Sequence, residues 1–239
     1  IAAMPMIYRG FGFIGAVVWR GLNDDQTKAQ FLWEGPDGSR IPTHKLPDHA
    51  GYPWYGHRVR WPWANAGFDP VVLIEKVKTA LEDEGQRSAV PIYYFSDTGD
   101  HQGLPLRIPE MLDILRGAFP AIEFVMEPLT GYFEELGRQA SLLKPFSGEL
   151  RYPARQTGTP WHALVPHCLS SRYPIKKAND RCQSLLTYWA ETLAAFSLAV
   201  GKRIPSGFLD QAWKHLLQNH AHDSICGCSG DATHEDMPY

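Results

Sequence analysis

The sequence predicts an α/β domain followed by an all-helical one. Strand-length apolar runs alternate with amphipathic helices over the first half of the chain. From Cys182 onward, apolar residues recur at spacings of four, three, four, three and four, the seam of a helix packed in a bundle. Between these regions, residues 142–167 are rich in Pro and Gly with weak periodicity, as expected of a connector.

Each element has its own signal. Gly12 to Trp19 reads as a buried strand with Arg20 at its C-terminal end. Phe31–Glu34 and Arg40–Leu46 flank Pro36-Asp37-Gly38 and read as a hairpin, the Pro, Asp and Gly supplying the turn. Residues 50–66, rich in Gly, Pro and aromatics, read as a long loop of the kind that often carries function. Asp69-Pro70 opens a helix as N-cap and first position; Leu73, Val77, Ala80 and Leu81 line one face, and Gly85 is expected to end it. Ala89 to Phe95 reads as a strand covered on both faces. Pro109 starts a helix with a Met111, Leu112, Leu115 stripe, and Ala121 to Met126 reads as the next strand. This βαβα order predicts a parallel sheet or barrel. In the second half, Cys182, Leu186, Trp189, Leu193, Phe196 and Val200 form the seam and Gly201 closes the helix. Ser206 is expected to cap the next helix, whose buried face is Phe208, Leu209, Ala212, Trp213, Leu216 and Leu217. A third helix is expected to start near Asp231.

Bulk properties narrow the function. The 239 residues carry a net charge of −3, which gives no electrostatic argument for nucleic acid or an anionic membrane. No apolar run reaches membrane-spanning length and no signal peptide is visible. Four cysteines are too few for a disulfide scaffold at this length and point to a reducing cytoplasm. Eight Trp and ten Tyr suit carbohydrate platforms as well as cores. Ile1 in place of Met points to a chain that begins part-way through a longer protein.

Two segments concentrate chemistry. His220-Ala221-His222-Asp223-Ser224-Ile225-Cys226-Gly227-Cys228-Ser229 follows an amphipathic helix and crowds imidazoles, a carboxylate and thiols together. Imidazole and carboxylate are natural zinc ligands, and a carboxylate beside a ligand can hold a sugar hydroxyl. The rival reading is a capping loop on orphan carbonyls. Ser96-Asp97-Thr98-Gly99-Asp100-His101-Gln102 follows an apolar run, where α/β barrels carry reactive groups. Its two carboxylates suit general acid/base work or metal binding, against an Asp/Gly turn capping a helix. Arg20 would look toward the same face, to fork onto a carboxylate or sugar oxygens or to make an ordinary surface salt bridge. His44, His49, Tyr52 and His57 read as loop side chains, His162 and His167 as surface residues, and His215 as structural. His234 reads as packed in the bundle. Cys226 and Cys228 read as small buried residues at a tight turn, with zinc thiolates as the alternative.

Taken together these motifs resemble glycoside hydrolase family 38 α-mannosidases, in the bacterial mannosylglycerate-hydrolase-like branch. The resemblance is carried by Leu216–Ser229, above all its His-Asp-Ser-Ile-Cys-Gly-Cys-Ser run. It continues in chain order through Tyr8–Gly12, Val18–Gly21, Trp33–Ser39, Gly99–Gln102, Gly148–Arg151 and Leu169–Arg172. It implies a partial (β/α) barrel over residues 1–140, a connector over 141–167 and a three-helix bundle, truncated, over 168–239. It further implies part of a zinc-dependent retaining α-mannosidase acting on a carbohydrate substrate, mannosylglycerate or oligosaccharides. Asp100 matches the general acid, His222 a zinc ligand, Asp223 the neighbouring aspartate that contacts the sugar, and Arg20 an arginine near the sugar. The family's nucleophile and its His-x-Asp metal pair are expected upstream of Ile1, so the chain alone is expected to be inactive. Asp97-Thr98-Gly99-Asp100 departs from the more usual Asn-Gly-x-Asp and leaves Asp97 without a role. A non-catalytic sugar- or metal-binding module is the alternative, and self-association into a homo-oligomer is left open.

Overall fold

The computed structural model describes residues 1–97, 99, 103, 105–152 and 168–238. The chain divides into two compact units, Ile1–Leu164 and Val165–Tyr239. Among the described residues, no helix is long and apolar enough to cross a membrane.

In the first unit, strands β1 (Ala16–Val18), β2 (Gln30–Glu34), β3 (Arg40–Lys45) and β4 (Pro145–Ser147) form one sheet in the order β1-β3-β2-β4. β2 and β3 are the expected hairpin, antiparallel with Trp33 opposite Ile41. Asp37 holds the turn by accepting from the Ser39 N–H at 3.0 Å and hydroxyl at 2.6 Å. Gly38 supplies the left-handed residue at φ +81°. β1 and β4 add in parallel on the two sides, so the sheet is mixed rather than all parallel. The strand expected over 12–19 contracts to three half-exposed residues, because β1 is an edge strand with one ladder neighbour.

The largest core lies among helices. Residues 50–66 are not a loop: a π-helical turn (Gly56–Arg60) runs into α2 (Trp61–Asn65), with the short α1 (Met4–Gly10) earlier in the chain. Tyr55, Val59 and Trp63 recur every four residues and are all buried, a helical period that the surrounding Gly and Pro conceal. They pack with Leu73, Val77 and Ala80 of α3 (Pro70–Arg87) and with Met111 and Leu115 of α4 (Ile108–Ala118). α3 starts as expected, with the Asp69 carboxylate accepting from the Val71 N–H at 2.9 Å. It runs past Gly85 to Arg87.

The two later strands expected in this unit do not form. Along residues 89–96 side-chain and helix groups replace ladder partners. Gln30 Oε1 accepts from the Ala89 N–H and its Nε2 donates to the Ile92 carbonyl, each at 2.7 Å, while the Tyr55 N–H donates to the Ser96 carbonyl at 3.1 Å. Residues 121–126 likewise lie outside the sheet, with the Phe124 carbonyl accepting from the Arg116 guanidinium. Helix α5 (Leu129–Arg138) closes a further small core through Tyr132, Phe133 and Leu136.

Charges are buried beside this core. Lys45 is fully buried and spends its ammonium on Asp48 Oδ1 at 2.6 Å, Asp24 Oδ1 at 2.7 Å and the Leu46 carbonyl at 3.1 Å. Arg87 joins Asp24 at 3.1 Å and Glu84 at 2.5 Å. Burial pushes the Glu84 carboxyl up, while Arg87 acts against that rise. His44, expected in a loop, is a fully buried residue of β3.

The second unit is helical: α6 (Tyr173–Ser184), a π-helical turn (Leu185–Ala190), α7 (Glu191–Ala199), α8 (Ser206–Gln218), α9 (His222–Cys226) and α10 (Asp231–Asp236). Gly201 takes φ +75° after α7, and a helix does start at Asp231, as expected. The seam is not buried: Trp189 is 64% and Phe196 66% exposed. The π-helical turn falls in the middle of that seam and breaks its 3.5-residue period. On α8, Leu216 is buried but Phe208 and Leu217 are exposed, and Ser206 is the first helical residue, without a side-chain capping bond.

Candidate active site

The His220–Ser229 segment is a helix and its terminus rather than an irregular loop. α9 is closed by Gly227 in the left-handed region at φ +79°. The Gly227 N–H donates to the Ser224 carbonyl at 3.0 Å and the Cys228 N–H to the Asp223 carbonyl at 3.2 Å, the paired bonds of a glycine-terminated helix. The Ser229 N–H shares that Asp223 carbonyl at 3.2 Å. The turn is tied down from outside. Ser171 Oγ donates to the Gly227 carbonyl at 3.0 Å, and Lys176 Nζ donates to the Ser171 carbonyl at 2.5 Å. His234 is buried, with its ring nitrogens 3.0 Å from the Gly230 and Ser224 carbonyls, which fits the packing role expected of it.

On this frame His222 and Asp223 project outward. His222 is 90% and Asp223 61% exposed in their side chains, with His222 Nε2 3.1 Å from Asp223 Oδ1. Cys228 Sγ donates to the same Oδ1 at 3.4 Å. The neighbouring Asp223 carboxylate holds the Cys228 thiol above the usual range, which disfavours the thiolate a zinc ligand needs. Cys228 is exposed rather than buried, and Cys226 is half-buried. His220 meets the Asn179 amide at 3.0 Å.

Arg20 lies in the first unit, beyond β1. Its guanidinium stacks on the Trp19 ring, 4.3 Å from the centroid, and the Tyr52 ring meets Trp19 edge-on at 5.4 Å. Gly51, at φ +62°, lets the backbone reach the same indole; a Cβ there would lie 2.2 Å from the ring. Trp19, Arg20, Asn23, Asp48 and Tyr152 line a shallow cleft. Sequence reasoning missed Asp48 in this cleft: it pairs with Lys45 three residues earlier because Lys45 is buried, which the sequence does not announce.

Asp100, with His101 and Gln102, lies outside the described residues, as do His162 and His167. Asp97 is described. Its Oδ2 accepts from Arg60 Nε at 2.7 Å, and its Oδ1 is buried with no hydrogen-bond partner among the described residues. Of the other candidates, His49 accepts from the Trp54 indole at 3.2 Å, His57 packs edge-on against Trp61, and His215 is exposed on α8. The structure therefore brings His222 and Asp223 together on one tip, while Arg20 belongs to the other unit.

Residues 166–238 match the α-mannosidase middle domain, the segment that carries this tip. The chain is 30% identical, over 98% of its length, to a Halalkalibacterium halodurans protein named "Putative mannosylglycerate hydrolase". An α-mannosidase structure from Enterococcus faecalis V583 superposes on the whole chain with a TM-score of 0.68 at 28% identity. Along its whole length the chain is similar to proteins named as α-mannosidases or mannosylglycerate hydrolase. Mouse α-mannosidase 2C1 is a more distant relative, 25% identical over 98% of the chain. The chain spans about a quarter of the length of these relatives: 26% of the bacterial protein, 21% of the mouse enzyme and 26% of the E. faecalis structure. The resemblance in the sequence implies zinc. Among the described residues, however, no three His, Cys, Asp or Glu side chains group as a metal site. One imidazole cannot make a closed four-coordinate centre, so these residues do not by themselves fit the ion.

Proposed function

We propose that this chain is the part of a cytoplasmic, zinc-dependent retaining α-mannosidase that supplies the general acid and a sugar-contacting tip. One observation carries the reading: the middle-domain match covers the His222-Asp223 tip, the most family-specific motif in the sequence. In this reading residues 1–140 belong to a catalytic barrel, 141–167 connect, and 168–239 form the helical bundle. The substrate is an α-mannoside, either mannosylglycerate, as in the name of the bacterial relative, or an oligosaccharide.

The chemistry follows from a retaining mechanism with two carboxyl groups. Asp100 protonates the departing glycosidic oxygen, then takes a proton from the water that releases the sugar. In this reading the full-length protein supplies the nucleophilic carboxylate, and the 239 residues by themselves are expected to be inactive. Asp223 accepts from a sugar hydroxyl, and Arg20, held flat on Trp19, forks onto sugar oxygens. His222 would be one imidazole ligand of a metal site, its remaining ligands supplied elsewhere in the full-length protein.

The test is Asp100→Asn in the full-length protein. Turnover of mannosides with poor leaving groups is expected to vanish while binding persists; full retained activity refutes the assignment. Metal analysis with and without His222 checks the tip separately. An inactive full-length protein that still binds mannose would favour the sugar-binding module instead.

A further inference from the structure

Cys228 belongs to the motif that identifies this chain, yet nothing above gives its thiol a role. The geometry assigns it one: Cys228 is a positioning residue that orients the Asp223 carboxylate, and Gly227 is what brings the two together. A helix ended by a left-handed glycine folds its next residue back over the last turn. The side chain after the glycine then meets the side chain four residues before the glycine, usually as an apolar contact. Here those residues are Cys228 and Asp223, and the backbone bond that defines the arrangement joins the same pair at 3.2 Å. The contact is polar: Sγ lies 3.4 Å from Asp223 Oδ1 and 3.7 Å from the Asp223 carbonyl.

Among the described residues the thiol is one of two groups on Oδ1, the other being His222 Nε2 at 3.1 Å. Exposed carboxylates turn freely about their last bond. Two contacts on Oδ1 restrict that rotation, which holds Oδ2 in a defined position for a hydroxyl donor. The glycine cannot be replaced without loss. A Cβ at Gly227 would lie 2.9 Å from Ser171 Oγ and 3.1 Å from the Ser171 carbonyl, in a conformation that L-residues rarely adopt. The Cys-Gly-Cys-Ser end of the motif is therefore read as a clasp, with Cys228 as its side-chain finger. The thiol donates a hydrogen bond and forms no covalent bond.

This inference rests on Asp223 as a sugar contact, and the test separates the two. Asp223→Ala, Cys228→Ala and Cys228→Ser are made in the full-length protein and assayed with an aryl α-mannoside, with thermal melts to check folding. Cys228→Ala is expected to raise KM about three- to tenfold with kcat nearly unchanged, the scale of one ordinary hydrogen bond, the thiol being a weak donor. Cys228→Ser, which keeps a donor, is expected to stay within about twofold of wild type. Infrared difference spectra of the full-length protein, with Cys228→Ala as the reference that assigns the band, supply a readout independent of activity. The Cys228 S–H band is expected at hydrogen-bonded frequency in wild type and to shift in Asp223→Ala. If Asp223→Ala leaves KM unchanged, the sugar-contact reading falls and this inference with it. If Asp223→Ala impairs binding while Cys228→Ala matches wild type, the positioning role alone is overturned. An S–H band indifferent to Asp223 overturns it also.

Discussion

Lowering the pH from 7 to 5 is expected to destabilise the first unit by about 2 kcal/mol through His44 alone. The imidazole is fully buried; Nδ1 meets the Tyr132 hydroxyl at 2.7 Å and Nε2 has no hydrogen-bond partner among the described residues. Burial first, then the Arg87 and Lys45 charges, holds its pKa down at about 3, with Asp24 pulling weakly the other way. In the unfolded chain the ring titrates near 6.5. As pH falls below that value, the unfolded state binds the proton first, so stability drops through the window from 6.5 toward 3. At pH 5 the unfolded ring is almost wholly charged and the folded ring almost wholly neutral. The difference is about 1.5 pH intervals at ~1.4 kcal/mol each, and it depends almost entirely on the unfolded value. The assay is urea unfolding at both pH values, followed by tryptophan fluorescence, for wild type and His44→Gln. Asp24, whose pKa is lowered by Lys45 and Arg87 against its own burial, and Glu84, whose pKa is raised by burial, titrate in both proteins and largely cancel in the comparison. Wild type is expected to lose about 2 kcal/mol more than the variant on acidification. Parallel losses would show that the buried ring takes its proton without resistance, and the reasoning would fail.

Other perturbations follow from the same packing. Lys45→Met leaves the Asp48 carboxylate without its cation and Asp24 with Arg87 alone, and is expected to cost about 3–5 kcal/mol in denaturant unfolding. Asp69→Ala removes the bond to the Val71 N–H at the start of α3 and is expected to lower stability by about 1 kcal/mol in the same assay. Gly51→Ala places a methyl into the Trp19 indole at positive φ and is expected to cost on the order of 2–3 kcal/mol. In the full-length protein it should also raise KM, because the ring under Arg20 must move.

Local chemistry was legible where its partner lies a few residues away. Asp69-Pro70 announces a helix start, Pro36-Asp37-Gly38 a tight turn, and Asp231 another helix start, and each of these local features forms as read. Residues whose partners lie far along the chain were misread. An apolar run such as 89–95 looks like a strand, but whether it forms a ladder depends on what reaches it, and here Gln30, about 60 residues away, occupies its polar groups. Residues 50–66 failed for the opposite reason: the Tyr55, Val59, Trp63 period was present, and Pro and Gly outweighed it. At the candidate site, the motif singles out His222 and Asp223, which the structure places side by side and exposed, but the Cys228 contact was not readable. It arises from one backbone angle at Gly227.

Burial also separates two uses of the same chemistry in this chain. Lys45, Arg87, Glu84 and His44 would be candidate catalytic groups by residue type. Lys45 meets three acceptors, the Glu84 carboxylate meets Arg87, and the His44 ring is enclosed among Tyr94 and Tyr132. Such groups have little room for a ligand, and removing one unpairs the rest, so their effect is felt in stability. His222, Asp223 and Arg20 are exposed and fixed in direction by neighbours: His222 and Asp223 by the α9 terminus, Arg20 by an indole. That combination is what a sugar-contacting group requires, since the binding energy of a hydroxyl contact is lost if the side chain must first be ordered. On this argument the functional residues of the chain are the ones whose loss leaves the melting temperature in place and moves KM.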